Sequence, residues 1–271
     1  MSSVITSNTG APQGTVLAPF LFTLYTSDCR SSETSCPLIK FADDTAMVGL
    51  IHKDNSEAYV SELEAFVDYC DSNFLELNVS KTKEMVIDFR LGTHEPSPIC
   101  IKGSEVARVE SYKYLGVTMD NKLNWHDHID SVVKKLNTRM YCLRKLNQFK
   151  VSPNILVMFY NSVIASVWRN CLICFGGNIT NCDKSRVDKV IGEAERIVGG
   201  LLCGVNATYD KELSTKMKSI MEDQDHPLHS RLQGQIIPRS GRMRLPHAAT
   251  NRHPSSFIPR AIKCHNHNFS R

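Results

Sequence analysis

No run of about 18 consecutive apolar residues, the length that spans a bilayer, occurs in this 271-residue sequence. The most apolar window, residues 155–175, is interrupted by Asn161, Ser162, Ser166, Arg169 and Asn170, and reads as a buried helix with no membrane partner. A secretory signal is not expected from the opening decapeptide MSSVITSNTG, which is polar. The expected setting is therefore intracellular and non-secreted, with nucleus and cytoplasm undistinguished. Glycine (14) and proline (11) are neither abundant nor periodic, which excludes a collagen-like chain. A content of 42% hydrophobic and 22% charged residues is that of an ordinary globular chain and excludes disorder for most of its length. No disulfide framework is implied, because the ten cysteines are scattered and several lie inside apolar periodic runs, as reduced core thiols do. Acidic residues are absent from residues 226–271, which hold eight Lys or Arg.

That last absence is one end of a gradient. The net charge of +4 is made of −8 over residues 1–110, +4 over residues 111–225 and +8 over residues 226–271. A polyanion would be held at the basic end.

The hydropathy pattern divides the chain in the same places. Residues 10–22, GAPQGTVLAPFLF, place a Gly- and Pro-punctuated loop before an apolar helix that runs to Tyr25. Residues 38–51 read as a β-hairpin with Asp43 and Asp44 at its tip. Residues 56–78 repeat apolar side chains at Val60, Leu63, Val67, Cys70, Phe74 and Leu77, with Glu62, Glu64, Asp68 and Asp71 between them, an amphipathic helix laid on a sheet. Residues 84–90 and 111–119 read as further strands, with a Pro-containing connection and a short hairpin between them. Residues 1–119 are thus expected to be α+β. Beyond Asp120, Ile129, Val132, Leu136, Met140 and Leu143 form one helical stripe with basic residues on the other faces. Ser152 and Pro153 start a long helix ending near Gly176 and Gly177, and another helix covers residues 183–199. Residues 120–225 read as helical, and residues 226–271, with prolines, histidines and little periodicity, as an extended, weakly ordered basic tail.

Two adjacent carboxylates at a hairpin tip suit the presentation of oxygen ligands to Mg²⁺, which takes one or two from protein and others from phosphates. Phosphoryl transfer is the implied chemistry. An Asp pair in a turn also arises from local hydrogen bonding alone, so the surrounding motifs decide. In order along the chain stand GAPQG (10–14), FADD (41–44), LNVSKT (77–82) and SYKYLGV (111–117). This series resembles the reverse transcriptases of non-LTR, LINE-type retrotransposons over the second half of their palm. The helices that follow, residues 123–149 and 151–177, resemble the thumb of those enzymes. The resemblance implies a partial polymerase palm of antiparallel hairpins plus a packed helix (1–119), an all-α thumb (120–225) and an extended basic tail (226–271).

It also implies RNA-directed DNA synthesis with Mg²⁺. Asp43 matches a metal-binding catalytic aspartate and Asp44 its more supportive neighbour. Lys81 matches a lysine beside the leaving pyrophosphate, where a cation neutralises developing charge or donates a proton. Gly10, Pro12, Gln13 and Gly14 match the loop against which the templating base and the incoming deoxynucleotide triphosphate pack. Tyr112, Tyr114, Leu115 and Gly116 match the primer grip, although Tyr114 and Leu115 suit a core position equally. Lys134, Lys135, Arg139 and Lys145 would meet phosphates of an RNA template and DNA primer.

The family's first catalytic aspartate lies on a strand upstream of the GAPQG loop, and its fingers lie upstream as well. The expectation is a chain inactive alone, with palm surface left open to self-association or aggregation. Non-catalytic nucleic-acid binding is the alternative. Residues 113–177 are also similar to the N-terminal segment of the eighth AlkB homologue, a family of iron- and 2-oxoglutarate-dependent oxygenation and methyl transfer. His128-Ile129-Asp130 fits the H-x-D pattern of the iron site. It falls in a helical stripe with no barrel and no methyl-donor loop around it, so neither activity is expected. Cys171 and Cys174 with Cys182 lack a fourth ligand in CxxC form, and core thiols are expected there.

Overall fold

A computed structural model describes residues 14–32, 35–90, 96–247 and 252–268. The chain mixes helices with small sheets, an α+β architecture, and divides into two compact units, residues 1–109 and 110–271.

In the first unit, helix α1 (Leu17–Tyr25) is followed by strands β1 (Leu38–Phe41) and β2 (Asp44–Met47), which pair antiparallel. The Lys40 ammonium ties β1 to the loop after α1 by donating to the carbonyls of Thr26 and Cys29. Helix α2 (Glu57–Ser72) ends short of the expected residue 78. The chain turns at Phe74, with φ +53°, and Leu77 and Val79 reach the core from a loop. Strand β3 (Lys83–Glu84) replaces the longer strand expected over residues 84–90. Turn chemistry wins there, because the Asp88 carboxylate accepts from the backbone N–H of Arg90 at 2.9 Å and holds its guanidinium. Strands β4 (Cys100–Ile101) and β5 (Ser104–Glu105) form a short antiparallel hairpin, and β6 (Ala107–Arg108) runs parallel to β3. Ile99, Ile101 and Val106 pack against Tyr59, Leu63 and Val67 of α2, so the amphipathic helix does lie on a hairpin. Its acidic spacer Glu62 is nonetheless buried, accepting hydrogen bonds from the N–H and hydroxyl of Ser32. The pattern had set that carboxylate toward solvent, and its role is to pin the loop ahead of β1.

In the second unit, β7 (Ser111–Tyr114) and β8 (Val117–Asp120) form a hairpin, and α3 (His126–Gln148) follows. Val117 and Met119 join the helical core, so this hairpin folds with the helices. The expected stripe of Ile129, Val132, Leu136, Met140 and Leu143 is fully buried. Where one long helix was expected over residues 153–177, there are α4 (Pro153–Phe159), a π-helical turn (Tyr160–Ala165), α5 (Ser166–Arg169) and α6 (Leu172–Phe175). The break lies at Asn170 and Cys171, where φ of Cys171 is +56°. By length and composition Pro153–Phe175 is apolar enough to cross a membrane. Here Leu156, Tyr160, Ile164, Trp168, Leu172 and Phe175 face the protein core.

Helix α7 (Asn181–Val198) begins two residues earlier than expected, on a reciprocal cap: Thr180 Oγ accepts from Asp183 N–H at 3.1 Å, and its hydroxyl donates to the Asp183 carboxylate at 2.8 Å. Gly199, with φ +70°, closes the helix. Helix α8 (Val205–Glu222) is joined to α7 by Asp188, whose carboxylate accepts from the N–H of Val205 at 2.8 Å.

The extended tail is corrected by the structure. Residues 226–271 hold α9 (His229–Gln233), α10 (Arg252–Ser255) and α11 (Phe257–Asn268). Leu232, Ala261 and Ile262 are completely buried in the same core as α3 and α7. The prolines that read as breakers, Pro254 and Pro259, sit in the first turns of α10 and α11, where a missing N–H breaks no helical bond.

Candidate functional site

In the first unit, Asp43 and Asp44 occupy the hairpin tip that the sequence predicts. Phe41 pairs with Asp44, so Ala42 and Asp43 form a two-residue turn. Ala42 has φ +52° while Asp43 does not share a positive φ, the pattern of a type II′ turn that favours glycine at its first position. An alanine in left-handed backbone stores about 1 kcal/mol of strain, directly beside the acid pair. Both aspartates are exposed, and among the described residues no side chain bonds their carboxylates. Lys81 is held by an Asx turn, in which the Asn78 side-chain oxygen accepts from Lys81 N–H at 3.1 Å and from the Ser80 hydroxyl at 2.7 Å. Its ammonium is left exposed. Gly10, Pro12 and Gln13 lie outside the described residues. Gly14 precedes α1 with φ +81° and open space where a Cβ would stand.

Among the described residues no group of three His, Cys, Asp or Glu is placed to hold a metal ion. The Asp43–Asp44 pair supplies two hard oxygen ligands, which fits the share that protein gives to one Mg²⁺. It does not by itself make the two-sided clamp of a two-metal centre.

The YKYLGV hairpin and the basic helix belong to the second unit. Leu115 (φ +46°) and Gly116 (φ +87°) form the two-residue turn between Tyr114 and Val117, a type I′ geometry that prefers Asn-Gly. Tyr112 and Leu115 are exposed, while Tyr114 is half-buried with its hydroxyl inside. The core alternative therefore holds in part for Tyr114 and not for Leu115. Leu115→Asn is expected to stabilise the unit by about 0.5–1 kcal/mol, by removing the penalty of a branched apolar side chain at positive φ. A thermal melt that shifts downward instead would show that the Leu115 side chain is held by contacts worth more than its strain.

On α3, Lys134, Lys135 and Lys145 are exposed, with the Lys145 ammonium 5.8 Å from the Tyr141 ring centroid. Arg139 departs from this set. It is half-buried and donates to the carbonyl of Val163 in the π-helical turn, where the wider winding draws carbonyls away from the α-helical ladder. A charge read as a phosphate ligand thus braces α3 against the next helix. His128 is buried, its Nδ1 accepts from the N–H of Thr118 at 3.3 Å, and its ring meets Phe175 edge-on at 4.8 Å. Burial, helped by Lys135, pushes its pKa down. Asp130 pairs with Arg186 at 2.6 Å, so the H-x-D residues are each engaged in packing α3.

Residues 2–119 match the family model described as reverse transcriptase (RNA-dependent DNA polymerase). Residues 125–166 match the one described as alkylated DNA repair protein alkB homolog 8, N-terminal. The chain is 24% identical over 269 residues to a probable RNA-directed DNA polymerase from transposon X-element of Drosophila melanogaster, covering 93% of this chain and 29% of that protein. It is 26% identical over 178 residues to the RNA-directed DNA polymerase from mobile element jockey of the same fly, covering 60% of this chain and 19% of that protein. A similar match, 26% over 173 residues, is to a probable RNA-directed DNA polymerase from transposon BS, covering 59% of this chain and 19% of that protein. The chain spans less than a third of the length of these relatives. No solved structure matches. With four motifs in order, an acid pair on a tight hairpin and relatives of one kind, the chain is similar over residues 2–119 to reverse transcriptases, and its relatives are the polymerases of mobile elements.

Proposed function

We propose that this chain carries the metal-holding corner and the nucleic-acid grip of an RNA-directed DNA polymerase, and that these 271 residues alone bind a primer-template without extending it. The observation that carries the reading is the exposed Asp43–Asp44 pair at a strained turn inside the segment that matches the reverse transcriptase family. In this reading the first unit is palm, and the helices of the second are thumb.

Asp43 and Asp44 would give oxygen ligands to Mg²⁺, which when bound neutralises phosphate charge. Lys81 would meet the leaving pyrophosphate, held in place by its Asn78 turn. The GAPQG loop would face the templating base and the deoxynucleotide triphosphate. Tyr112 and Leu115, exposed on their hairpin, would hold the primer end. Lys134, Lys135 and Lys145 would neutralise phosphates of the template-primer duplex, a contribution that is independent of sequence and weakens with salt. Two neighbouring carboxylates on one hairpin clamp one side of a metal pair, so extension requires a further carboxylate from elsewhere in the protein. The exposed apolar side chains of α1, the first hairpin and the segment after it, among them Leu17, Phe20, Phe41 and Leu50, favour self-association of the chain on its own.

The test is primer extension on a homopolymer RNA template with Mg²⁺, beside an Asp43→Ala, Asp44→Ala variant, together with anisotropy of a labelled RNA–DNA duplex. No extension is expected, and duplex affinity should fall by at least about tenfold between about 50 and about 200 mM salt. Extension that disappears in the double variant would show a complete centre within these residues. Absence of duplex binding at low salt would overturn the reading altogether.

A further inference from the structure

We propose that residues 235–244 form a preordered arginine hairpin that grips the phosphate backbone of a nucleic-acid strand. The proposal rests on the nucleic-acid reading above and adds a contact made outside the basic helix. Ile236 and Met243 face each other as an antiparallel bridge, Ile237 N–H donates to the Arg242 carbonyl at 2.7 Å, and Arg244 N–H donates to the Gln235 carbonyl at 2.8 Å. The turn is closed by Ser240 and Gly241, whose N–H groups both donate to the Ile237 carbonyl, with Gly241 at φ +67°.

The base of this hairpin is fixed to the core. The Met243 side chain is buried at 2% exposure. The Asn266 amide on α11 clamps the Met243 backbone on both sides, accepting from its N–H and donating to its carbonyl, each at 2.8 Å. With Met243 turned inward, its neighbours Arg242 and Arg244 project on the other side of the extended segment. Arg239 joins them at the turn, and all three are exposed. Side chains two apart on extended backbone repeat about every 6.8 Å, twice the axial charge spacing of about 3.4 Å along one nucleic-acid strand. Guanidinium groups match phosphate oxygens in pairs of hydrogen bonds. A backbone already ordered by Asn266 loses less freedom on binding than a loose tail would. Residues 226–271 hold eight Lys or Arg and no acidic residue.

The experiment compares the full chain with an Arg239→Gln, Arg242→Gln, Arg244→Gln variant on a labelled RNA–DNA primer-template over a salt series. Affinity at about 100 mM salt should fall at least about tenfold, and the slope of log affinity against log salt should become shallower by about 2–3. The melting temperature should be unchanged, since all three side chains are exposed. Asn266→Ala, which keeps every charge, should weaken binding without changing the slope. Wild-type affinity and slope in the triple variant would overturn the proposal. If a Lys134→Gln, Lys145→Gln variant still binds more weakly in that case, the polymerase-grip reading stands and only the hairpin contact falls. A wild-type chain that binds no duplex overturns both. Preferential loss of binding to phosphatidylserine vesicles, with duplex binding intact, assigns the hairpin to a membrane surface and likewise overturns it.

Discussion

Alanine at Gly177 is expected to unseat the C-terminal segment and destabilise the second unit by about 2 kcal/mol or more. A Cβ at this position overlaps the carbonyl oxygen of Ser255 and lies 2.8 Å from the Tyr209 hydroxyl oxygen. The first of these is main chain, so no change of rotamer relieves it. Ser255 ends α10, and α11 follows after one residue. The seat extends through Arg260, which pairs with Asp210 at 3.1 Å and lies 5.5 Å over the Tyr209 ring. Displacing Ser255 therefore disturbs the docking of Ala261 and Ile262, both fully buried. A melting temperature lower by about 4–8 °C is expected, with faster proteolysis within residues 252–268. An unchanged melt and unchanged protection would show that the tail does not pack on Gly177.

Removing the Asp183 carboxylate is expected to cost about 3 kcal/mol, the scale for breaking a buried charged pair. Asp183 is completely buried. Its carboxylate accepts from the Thr180 hydroxyl at 2.8 Å, from His126 Nδ1 at 3.1 Å and from Arg186 at 3.1 Å, while Arg186 also reaches Asp130 at 2.6 Å. Burial pushes the Asp183 carboxyl up, but the hydrogen bonds from Thr180, His126 and Arg186 outweigh it and hold its pKa below the ordinary carboxylate value. A group whose folded pKa is depressed stabilises the fold above its unfolded pKa and loses that contribution as pH falls through the folded value. Stability of the second unit should accordingly decline below about pH 4, from the ordinary aspartate pKa downward, and this decline should be smaller in Asp183→Asn. Asp183→Ala should melt about 10 °C lower at neutral pH. A flat acid profile in the wild type, or a melt within about 1 °C of it for the alanine variant, would mean that the network is a surface feature of small weight.

The parts legible in the sequence are those decided over a few residues. The helical stripe of Ile129, Val132, Leu136, Met140 and Leu143 is read correctly because one face of α3 meets one core. The Asp43–Asp44 turn is legible because a hairpin's period and its tip are local. Elsewhere an isolated polar residue is ambiguous. Glu62 follows the spacing of a solvent-facing acid and is nonetheless buried against Ser32, 30 positions away. Arg139 lies beside exposed lysines on the same helix and turns to Val163. Neither partner is visible from spacing alone. The arginine hairpin had a weak signal, Pro238 and Gly241 between apolar Ile236 and Met243, which is turn chemistry flanked by inward positions.

Sequence alone determined the resemblance to reverse transcriptases, the order of the motifs that carry it, the acid pair at a hairpin tip and the helical register of α3, because motif identity and side-chain period are properties of the chain. Tertiary structure decided which charges are structural, where the long apolar helix breaks, and that the basic C-terminal segment folds. Short apolar sets such as Phe257, Ile258, Ala261 and Ile262 are too brief to order a helix unaided. They become helical when Gly177 and Tyr209 give them a surface to bury against, and Asn266 of the same helix ties it to the Met243 backbone.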